Sequence, residues 1–280
     1  MYLFHSIEET RQYLAKMKKE GKSIGLVPTM GALHRGHLDL VGRAGEENEC
    51  VVVSIFVNPI QFNNPEDLKK YPRTLDADLE KLNTTRCSVV FAPSVGEMYP
   101  QPDTTEFDFG NLDKLMEGQF RPGHFRGVGV VVKKLLEIVE PNRAYFGEKD
   151  FQQLAIIKYM VKSLNIPVEV IPCPIVREPD GLALSSRNEL LSPEERTIAP
   201  EIREALVKVK ENYSWFTPDG IGKMVIGDIE QNTMFRVEYA QVADTMTLMP
   251  ITEWEDADHA ILCVAVLIGQ VRLIDNILLY

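Results

Sequence analysis

Several signatures of common protein classes are missing from this chain of 280 residues. Its four cysteines are far apart and form no Cys-x-x-Cys pair, a spacing that disfavours both a zinc site and a disulfide scaffold. The chain has 30 basic and 41 acidic residues, and the net charge of −11 argues against nucleic acid as a main partner. The longest apolar run, Ala260–Gly269, has about half of the roughly 20 residues that a membrane helix needs, so no membrane partner is expected.

Motifs of well-known enzyme classes are also absent. There is no P-loop, no G-x-G-x-x-G turn, no H-E-x-x-H helix and no G-x-S-x-G nucleophile elbow. These absences disfavour an ordinary P-loop ATPase, a Rossmann dehydrogenase, a zincin and an α/β-hydrolase. The first ten residues lack a basic start followed by an apolar core, so no secretory signal is expected, and the free cysteines indicate a cytoplasmic location.

Helical and strand patterns alternate through the first 170 residues. Ser23–Val27 is a short apolar run that we predict to be a strand ending at Pro28. Cys50–Val57 is β-branched with almost no polar residue, which is typical of a strand buried on both faces. The alternation predicts an α/β fold with a Rossmann-like parallel sheet, helices on both of its faces, and ligands beyond the carboxyl ends of the strands.

The pattern changes at Pro172 and Pro174, because two prolines in three residues oppose helix and central strand alike. We predict a first domain over residues 1–174 and a smaller α+β C-terminal domain over residues 175–280. In the second domain, Ser192 is followed by a proline and, at the third position, a glutamate, which together predict a helix start. Two strand-like runs follow that helix, Phe235–Val242 and Ala260–Leu267.

The segment 28–37 carries two histidines, His34 and His37, on one face of a helical turn directly after the first predicted strand. Gly36 between them allows close approach of a ligand. The two imidazoles and free backbone N–H groups at a helix N-terminus would suit a phosphate. The alternative is a tight turn whose histidines satisfy local hydrogen bonds. The H-x-G-H pattern resembles the signature of the nucleotidyltransferases, which attack the α-phosphate of a nucleotide and expel pyrophosphate.

Three further segments follow strands or turns and could line the same site. Asn58 and Gln61 offer neutral amides suited to hydroxyls and carboxylates, although a polar Asn-Pro turn would look the same. Lys149 lies at a helix start, where an acid-rich cap is the alternative. Arg187, in the segment LSSRN, could bind phosphate oxygens or lie in a solvated turn. The loop 121–127 is a possible anion-facing loop, and we interpret the remaining histidines, His5, His124 and His259, as structural or surface residues.

Eight long segments in family order make the chain similar to the pantothenate synthetase (pantoate–β-alanine ligase) family. They are VPTMGALHRGH (27–37), SIFVNPIQF (54–62), YPRT (71–74), FAPSVGEMYP (91–100), RPGHFRGV (121–128), FGEKDFQQL (146–154), DGLALSSRN (180–188) and RLIDN (272–276). The resemblance implies that ATP, (R)-pantoate and β-alanine give pantothenate, AMP and pyrophosphate through a pantoyl adenylate. It also implies Mg²⁺, a homodimer, nucleotide and pantoate binding by residues 1–174, and a lid formed by residues 175–280.

The resemblance also implies a set of site residues. The ATP contacts would be Met30, Gly31, Ala32, Leu33, His34, Arg35, Gly36, His37, Gly147, Glu148, Lys149, Asp150, Val176, Leu184, Ser185, Ser186 and Arg187. Of these, His34, His37, Lys149 and Arg187 would act in catalysis, with His37 as proton donor. Gln61 and Gln153 would contact pantoate, Asn58 is added as a neighbouring amide, and Asp78 is the candidate acidic contact for Mg²⁺.

Two other functions fit parts of this pattern. A nucleotidyltransferase that keeps AMP or CMP in its product would share the H-x-G-H and LSSRN segments, but Gln61 and Gln153 suit a hydroxy acid better than a phosphate ester. A nucleotide-binding regulatory protein would lack turnover, and release of pyrophosphate that depends on pantoate would exclude it.

Overall fold

The computed structural model describes all residues from Met1 to Tyr280, and they group into two compact units. The first unit contains residues 1–109, 121–148 and 153–174. The second contains residues 110–120, 149–152 and 175–280. Two short segments that precede residue 174 thus belong to the second unit.

The first unit is built on a six-stranded sheet in which every neighbouring pair is parallel. Its strands are Tyr2–Phe4 (β1), Ile24–Thr29 (β2), Cys50–Ile55 (β3), Val89–Phe91 (β4), Arg143–Gly147 (β5) and Glu169–Cys173 (β6). Their spatial order is β1-β4-β3-β2-β5-β6. Because Thr29 pairs with Ile55, the carboxyl ends of β2 and β3 lie side by side, and so do the loops that follow them.

The chain contains eleven α-helices in addition to short 3₁₀ turns. In chain order they are Ile7–Lys19 (α1), Arg35–Glu47 (α2), Pro65–Lys70 (α3), Leu75–Leu82 (α4), Val95–Met98 (α5), Glu117–Phe120 (α6), His124–Val139 (α7), Phe151–Ser163 (α8), Pro193–Ile198 (α9), Glu201–Lys210 (α10) and Pro218–Ile229 (α11). No helix is both long and apolar enough to cross a membrane.

Both faces of the parallel sheet are buried. Val27 and Val53 pack on one face with Val41 of α2, and α4 adds its own apolar side chains to the same cluster. Leu26 and Val52, which point to the opposite face, are also fully buried, and α7 packs against β2. Burying an aliphatic side chain of this size stabilises the fold by roughly 1.5–3 kcal/mol, so both layers contribute to stability. The predicted parallel sheet with helices on both faces is confirmed.

Two prolines lie inside strands where the sequence analysis expected interruptions. Pro28 is part of β2, which continues to Thr29, and our prediction that this strand ends at Pro28 is wrong. At Pro28 the strand pairs with β3 alone, because its pairing with β5 covers only Gly25 and Leu26. Pro172 lies in β6, which is an edge strand. No strand lies beyond β6, so the N–H group that proline lacks breaks no hydrogen bond to an outer neighbour.

The second unit has a three-stranded antiparallel sheet in the order β7-β8-β9. The strands are Phe235–Asp244 (β7), Ala260–Ile268 (β8) and Val271–Leu278 (β9). Leu206 of α10 and Val225 of α11 share a buried cluster with Val264 of β8. The predicted helix start is confirmed, since Ser192 Oγ accepts from the Glu195 N–H at 3.2 Å and Glu195 Oε2 accepts from the Ser192 N–H at 2.7 Å. The smaller α+β part of the fold is therefore confirmed, with β9 as an additional strand.

Candidate active site

The loop between β2 and α2 has an unusual backbone. Gly31 and Ala32 are both left-handed, with φ of +79° and +50°. Thr29 Oγ1 donates to the Ser54 carbonyl at 2.7 Å and accepts from the Gly31 N–H at 3.2 Å, which anchors the loop to the end of β3. His34 then takes an extended conformation as the N-cap of α2. The two histidines of the H-x-G-H segment therefore stand at a helix N-terminus beyond the carboxyl end of β2.

Most of the N–H groups in this loop already have protein partners, which corrects the expectation that they are free. The N–H groups of Ala32 and Leu33 donate to the Asp78 carboxylate at 3.0 and 2.7 Å, and that of His34 donates to His37 Nδ1 at 3.3 Å. The N–H groups of Arg35 and Gly36, in the first turn of α2, have no protein acceptor. A phosphate at this helix end would therefore meet those two N–H groups and the imidazoles.

Asp78 has a different environment from that of a metal ligand. It is fully buried, and its two oxygens accept from two backbone N–H groups and, at 3.2 Å, from the Thr74 hydroxyl. No group of three or more His, Cys, Asp or Glu side chains that could hold a metal ion is present. The assignment of Asp78 as a direct contact for Mg²⁺ is therefore wrong, because the carboxylate is fully buried, both of its oxygens accept from protein groups, and no other ligand side chains cluster with it.

The rings of His34 and His37 lie next to each other, with centroids 4.0 Å apart and planes inclined by 39°. Because a backbone N–H can only donate, the Nδ1 atom of His37 is an acceptor toward the N–H of His34. In the neutral ring, the proton is then on Nε2. In this tautomer His37 can donate a hydrogen bond through Nε2.

Gln61 ends the short 3₁₀ turn Pro59–Gln61 after β3, and its amide has a defined orientation. Asn58 Nδ2 donates to the Gly127 carbonyl at 3.0 Å, and Asn58 Oδ1 faces the Ile60 N–H at 3.4 Å. These backbone groups fix the positions of the nitrogen and the oxygen of the Asn58 amide, because a carbonyl only accepts and an N–H only donates. Asn58 Nδ2 also lies 3.2 Å from Gln61 Oε1, so Gln61 Nε2 points the other way, 3.0 Å from Met30 Sδ. Gln61 Nε2 donates one hydrogen to Met30 Sδ, which leaves its second hydrogen as a donor beside the H-x-G-H loop.

Asn58 itself is not available to a substrate, which corrects its assignment as a contact residue. It is 1% exposed, and Tyr99 adds a hydroxyl donor to its Oδ1 at 2.9 Å. Both ends of its amide are therefore occupied by protein groups. Asn58 positions Gln61 instead.

The loop 121–127 supports Gln61 from the other side. His124 is buried, as the structural interpretation of this histidine requires, and its Nδ1 lies 2.8 Å from the Gln61 carbonyl oxygen. Gly127 in α7 packs so closely that a Cβ atom there would lie 2.6 Å from Gln61 Cα. Of the two arginines in this loop, Arg126 donates to the Asp103 carbonyl at 2.9 Å. The His124 and Gly127 contacts could not be predicted from local sequence, because they join residues more than 60 positions apart.

Gln153 and its neighbour Gln152 have opposite roles on α8. Gln152 is buried, and its Nε2 donates to the carbonyls of Leu112 and Leu115 at 2.7 and 2.8 Å. Gln153 is half-buried, and its amide makes no hydrogen bond within the protein. Gln153 is therefore free to bind a ligand, whereas Gln152 stabilises the segment around Leu115.

Lys149 lies in the 3₁₀ turn Glu148–Asp150 that joins β5 to α8. Its side chain is half-buried and has no protein partner, while its carbonyl accepts from Asn276 Nδ2 at 3.1 Å. An ammonium that is partly buried and unpaired is available for an anionic ligand. The side chains of Glu148 and Asp150 in the same turn are half-buried and exposed, respectively.

The segment LSSRN follows a short hairpin in the second unit. Leu184 N–H donates to the Val176 carbonyl at 3.0 Å, so these two predicted ATP contacts are neighbours. Ser185 Oγ accepts from the Arg187 N–H at 3.2 Å and caps the turn Ser186–Leu190, which holds Arg187 in place. Both serines and Arg187 are half-buried rather than fully solvated.

A buried ion pair holds this hairpin to β9. Arg177 donates to both oxygens of Asp275 at 2.7 and 2.8 Å, and Asp275 is 5% exposed. The next residue on β9, Asn276, bonds to the Lys149 carbonyl. The RLIDN segment therefore brings the backbone of Lys149 and the Val176 hairpin together within the second unit, a role that the sequence motif alone did not reveal.

Comparison with known proteins identifies the family of this chain. A profile of the pantoate-beta-alanine ligase family matches residues 2–278. The chain is 54% identical over 278 residues to the pantothenate synthetase of Phocaeicola vulgatus, with 99% of each chain covered. The chain belongs to the pantoate-beta-alanine ligase family.

Solved structures of the pantoate-beta-alanine ligase family have the same fold. The pantothenate synthetase from Thermus thermophilus matches with a TM-score of 0.93 at 43% identity and full coverage of both chains. A pantoate-beta-alanine ligase from Francisella tularensis, solved in complex with beta-gamma ATP and β-alanine, matches with a TM-score of 0.85 at 37% identity, covering 100% of this chain and 98% of the other. The family resemblance of the eight sequence segments is thus confirmed over the whole chain.

Proposed function

We propose that this protein joins pantoate to β-alanine at the expense of ATP, through a pantoyl adenylate. The match of the pantoate-beta-alanine ligase profile to residues 2–278 is the observation that carries this proposal. The chemistry of the site supports it, because groups suited to phosphate and an amide suited to a hydroxy acid lie beside each other at the ends of β2 and β3.

The first step would activate the pantoate carboxylate. Its oxygen attacks the α-phosphorus of ATP, and the bond from that phosphorus to the pyrophosphate oxygen breaks. Negative charge grows on the departing pyrophosphate, where His37 Nε2–H, His34, Lys149 and Arg187 are the proposed donors. Removing one preorganised donor of this kind typically costs about 3–4 kcal/mol of transition-state stabilisation.

Mg²⁺ would enter this reaction as part of its substrate, MgATP. The chain offers no cluster of carboxylates for a resident ion, and the Asp78 oxygens are already engaged. The other proposed ATP contacts are the residues that the family resemblance implies in segments 30–37, 147–150 and 184–187, together with Val176. Within the first segment, the N–H groups of Arg35 and Gly36 are the available backbone donors.

Pantoate would be held by neutral amides. Gln61 presents Nε2–H to an acceptor oxygen of pantoate, and the unpaired amide of Gln153 adds a second contact. In the second step the β-alanine amine attacks the acyl carbon, and AMP leaves with the former carboxylate oxygen. Water must be excluded until the amine attacks, because it would hydrolyse the adenylate.

Three broader expectations belong to the same proposal. Residues 175–280 would act as a lid that limits access of water, and residues 1–174 would bind nucleotide and pantoate. The family resemblance implies a homodimer. The four free and buried cysteines support a cytoplasmic location, where thiols stay reduced.

Isotope transfer tests the proposed chemistry. Pantoate with ¹⁸O in its carboxylate, mixed with enzyme, MgATP and β-alanine, should give AMP that carries one labelled oxygen. A parallel reaction in ¹⁸O-water with unlabelled pantoate should give unlabelled AMP. If labelled pantoate gives unlabelled AMP, the adenylate is excluded. If AMP stays attached to the product, the protein is a nucleotidyltransferase. If pantoate causes no release of pyrophosphate, the protein only binds nucleotide.

A further inference from the structure

The loop 31–34 adopts a conformation that its own sequence does not favour. Two consecutive left-handed residues are strained unless the surroundings stabilise them, and only the first of them is a glycine. In this conformation the successive N–H groups of Ala32 and Leu33 converge on one point. Converging N–H groups of this kind form an anion-binding concavity.

The anion in this concavity is the protein's own Asp78 carboxylate. Oδ2 accepts from the Ala32 N–H at 3.0 Å and Oδ1 from the Leu33 N–H at 2.7 Å, and the side chain is fully buried. A Cβ atom on Gly31 would lie 3.1 Å from Oδ2, so the loop closes tightly over the carboxylate. These charge-assisted bonds are stronger than bonds between neutral groups.

Helix α4 holds the same loop at a second point. One turn after Asp78, Lys81 Nζ donates to the Leu33 carbonyl at 2.6 Å. Both polar groups of the Leu33 backbone are therefore held by α4, immediately before His34 caps α2. The start of α2, and with it the spacing of the His34 and His37 rings, depends on these bonds.

We propose that Asp78 is a positioning residue, an internal anion that holds the loop 31–34 in its left-handed conformation and so places His34 and His37 for ATP. This inference rests on the proposed ligase activity. It gives Asp78 a role through the loop backbone and not through a metal ion. Gln61 is held by other residues, so loss of the Asp78 carboxylate should affect ATP use and leave the binding of pantoate by Gln61 intact.

The test compares Asp78→Asn with Asp76→Asn, a matched control on the exposed side of α4. Steady-state kinetics at several Mg²⁺ concentrations should show a KM for ATP raised at least tenfold and a kcat lowered at least tenfold in Asp78→Asn. The KM for pantoate should stay within threefold, and Asp76→Asn should stay within twofold of the unmodified protein throughout.

Three kinetic results would overturn the proposal. Recovery of activity at high Mg²⁺ would make Asp78 a metal contact, and unchanged kinetics would make the carboxylate dispensable. A lower kcat with both KM values unchanged would indicate only a loss of folded protein.

Hydrogen exchange measured by NMR tests the loop independently of activity and without a variant. In the unmodified protein the amides of Ala32 and Leu33 should exchange at least a hundredfold more slowly than that of Asn63, which is exposed. Rapid exchange at Ala32 and Leu33 would overturn the proposal even if Asp78→Asn does not fold. If the unmodified protein makes no pantothenate, the proposed function fails, while slow exchange would still support the role of Asp78 in the loop.

Discussion

Replacing Gly127 with alanine tests how closely α7 must pack on the turn that carries Gln61. A Cβ atom at this position would lie 2.6 Å from both Cα and N of Gln61 and 2.7 Å from the Ile60 carbonyl carbon. Ordinary contacts begin at 3.4 Å, so the backbone of the turn or the helix must move by about 0.8 Å. A shift of that size would stretch the 2.8 Å contact between His124 Nδ1 and the Gln61 oxygen beyond hydrogen-bonding distance.

The expected magnitude follows from two opposing effects. Alanine gains about 1 kcal/mol of helix propensity over glycine. Overpacking against a backbone that cannot rotate away costs about 1–3 kcal/mol. We therefore expect a net loss of up to about 2 kcal/mol in the free energy of unfolding. Because a misplacement near 1 Å can cost about 10²-fold in rate, kcat/KM for pantoate should fall about 10- to 100-fold.

Gly42→Ala is the matched control for this prediction. Gly42 lies inside α2, and no atom outside its own helix lies within 4 Å of a Cβ built there. This variant should gain about 0.5–1 kcal/mol of stability and keep its activity. Thermal unfolding and pantoate titrations at saturating MgATP measure both effects. If Gly127→Ala keeps kcat/KM for pantoate within twofold of Gly42→Ala, the geometric argument for Gln61 is refuted.

Three further outcomes are expected. His37→Ala and Lys149→Ala should each lower kcat about 10²- to 10³-fold, whereas exposed Lys158→Ala should leave kcat unchanged; near-normal turnover would remove the residue from the mechanism. Thermal unfolding should be unchanged in Lys149→Ala, while His37→Ala also removes the acceptor of the His34 N–H and should lower the free energy of unfolding by about 1 kcal/mol. The Gln61→Glu side chain can still accept from Asn58 but presents a carboxylate to pantoate, so the KM for pantoate should rise at least tenfold. Calorimetry should show an unchanged affinity for ATP, and an equal loss of affinity for pantoate and for ATP would contradict the donor assignment. Burial raises the pKa of Cys87 to about 12, so the native state retains the thiol proton at pH values where the unfolded chain has lost it. The free energy of unfolding should therefore fall between about pH 9 and pH 12, and in denaturant titrations the fall should be shallower for Cys87→Ala. An identical dependence on pH in the two proteins would refute the assignment.

Local patterns in the sequence were sufficient for much of the fold. The β-branched run that begins at Cys50 became a central strand buried on both faces, and the Ser192 capping box formed as expected. Such features depend on interactions between near neighbours and on hydrophobic periodicity, which are written directly in the residues. The prediction failed at Pro28, because whether a strand tolerates proline depends on which neighbour it has at that residue.

The identity of the candidate site residues was also accessible from sequence, because the H-x-G-H segment and Gln61 lie directly after the strands that present them. The roles of Asn58 and Asp78 were not. Both are polar residues near a predicted site, and sequence alone cannot distinguish a side chain that faces a ligand from one that holds the backbone. Hydrogen-bond partners decide the difference, because both ends of the Asn58 amide and both oxygens of Asp78 are engaged by protein groups.

The sequence by itself thus determined the order of strands and helices along the chain, the family, and which segments carry the chemistry. Only the tertiary structure decided that Asp78 meets the N–H groups of Ala32 and Leu33 across 46 and 45 positions of sequence. In the same way, the Gly127 carbonyl, 69 positions away from Asn58, sets the direction of the Asn58 amide and hence the direction in which Gln61 Nε2 points. Hydrogen-bond polarity at a site depends on groups that only folding brings together, and no local pattern encodes which of them will meet.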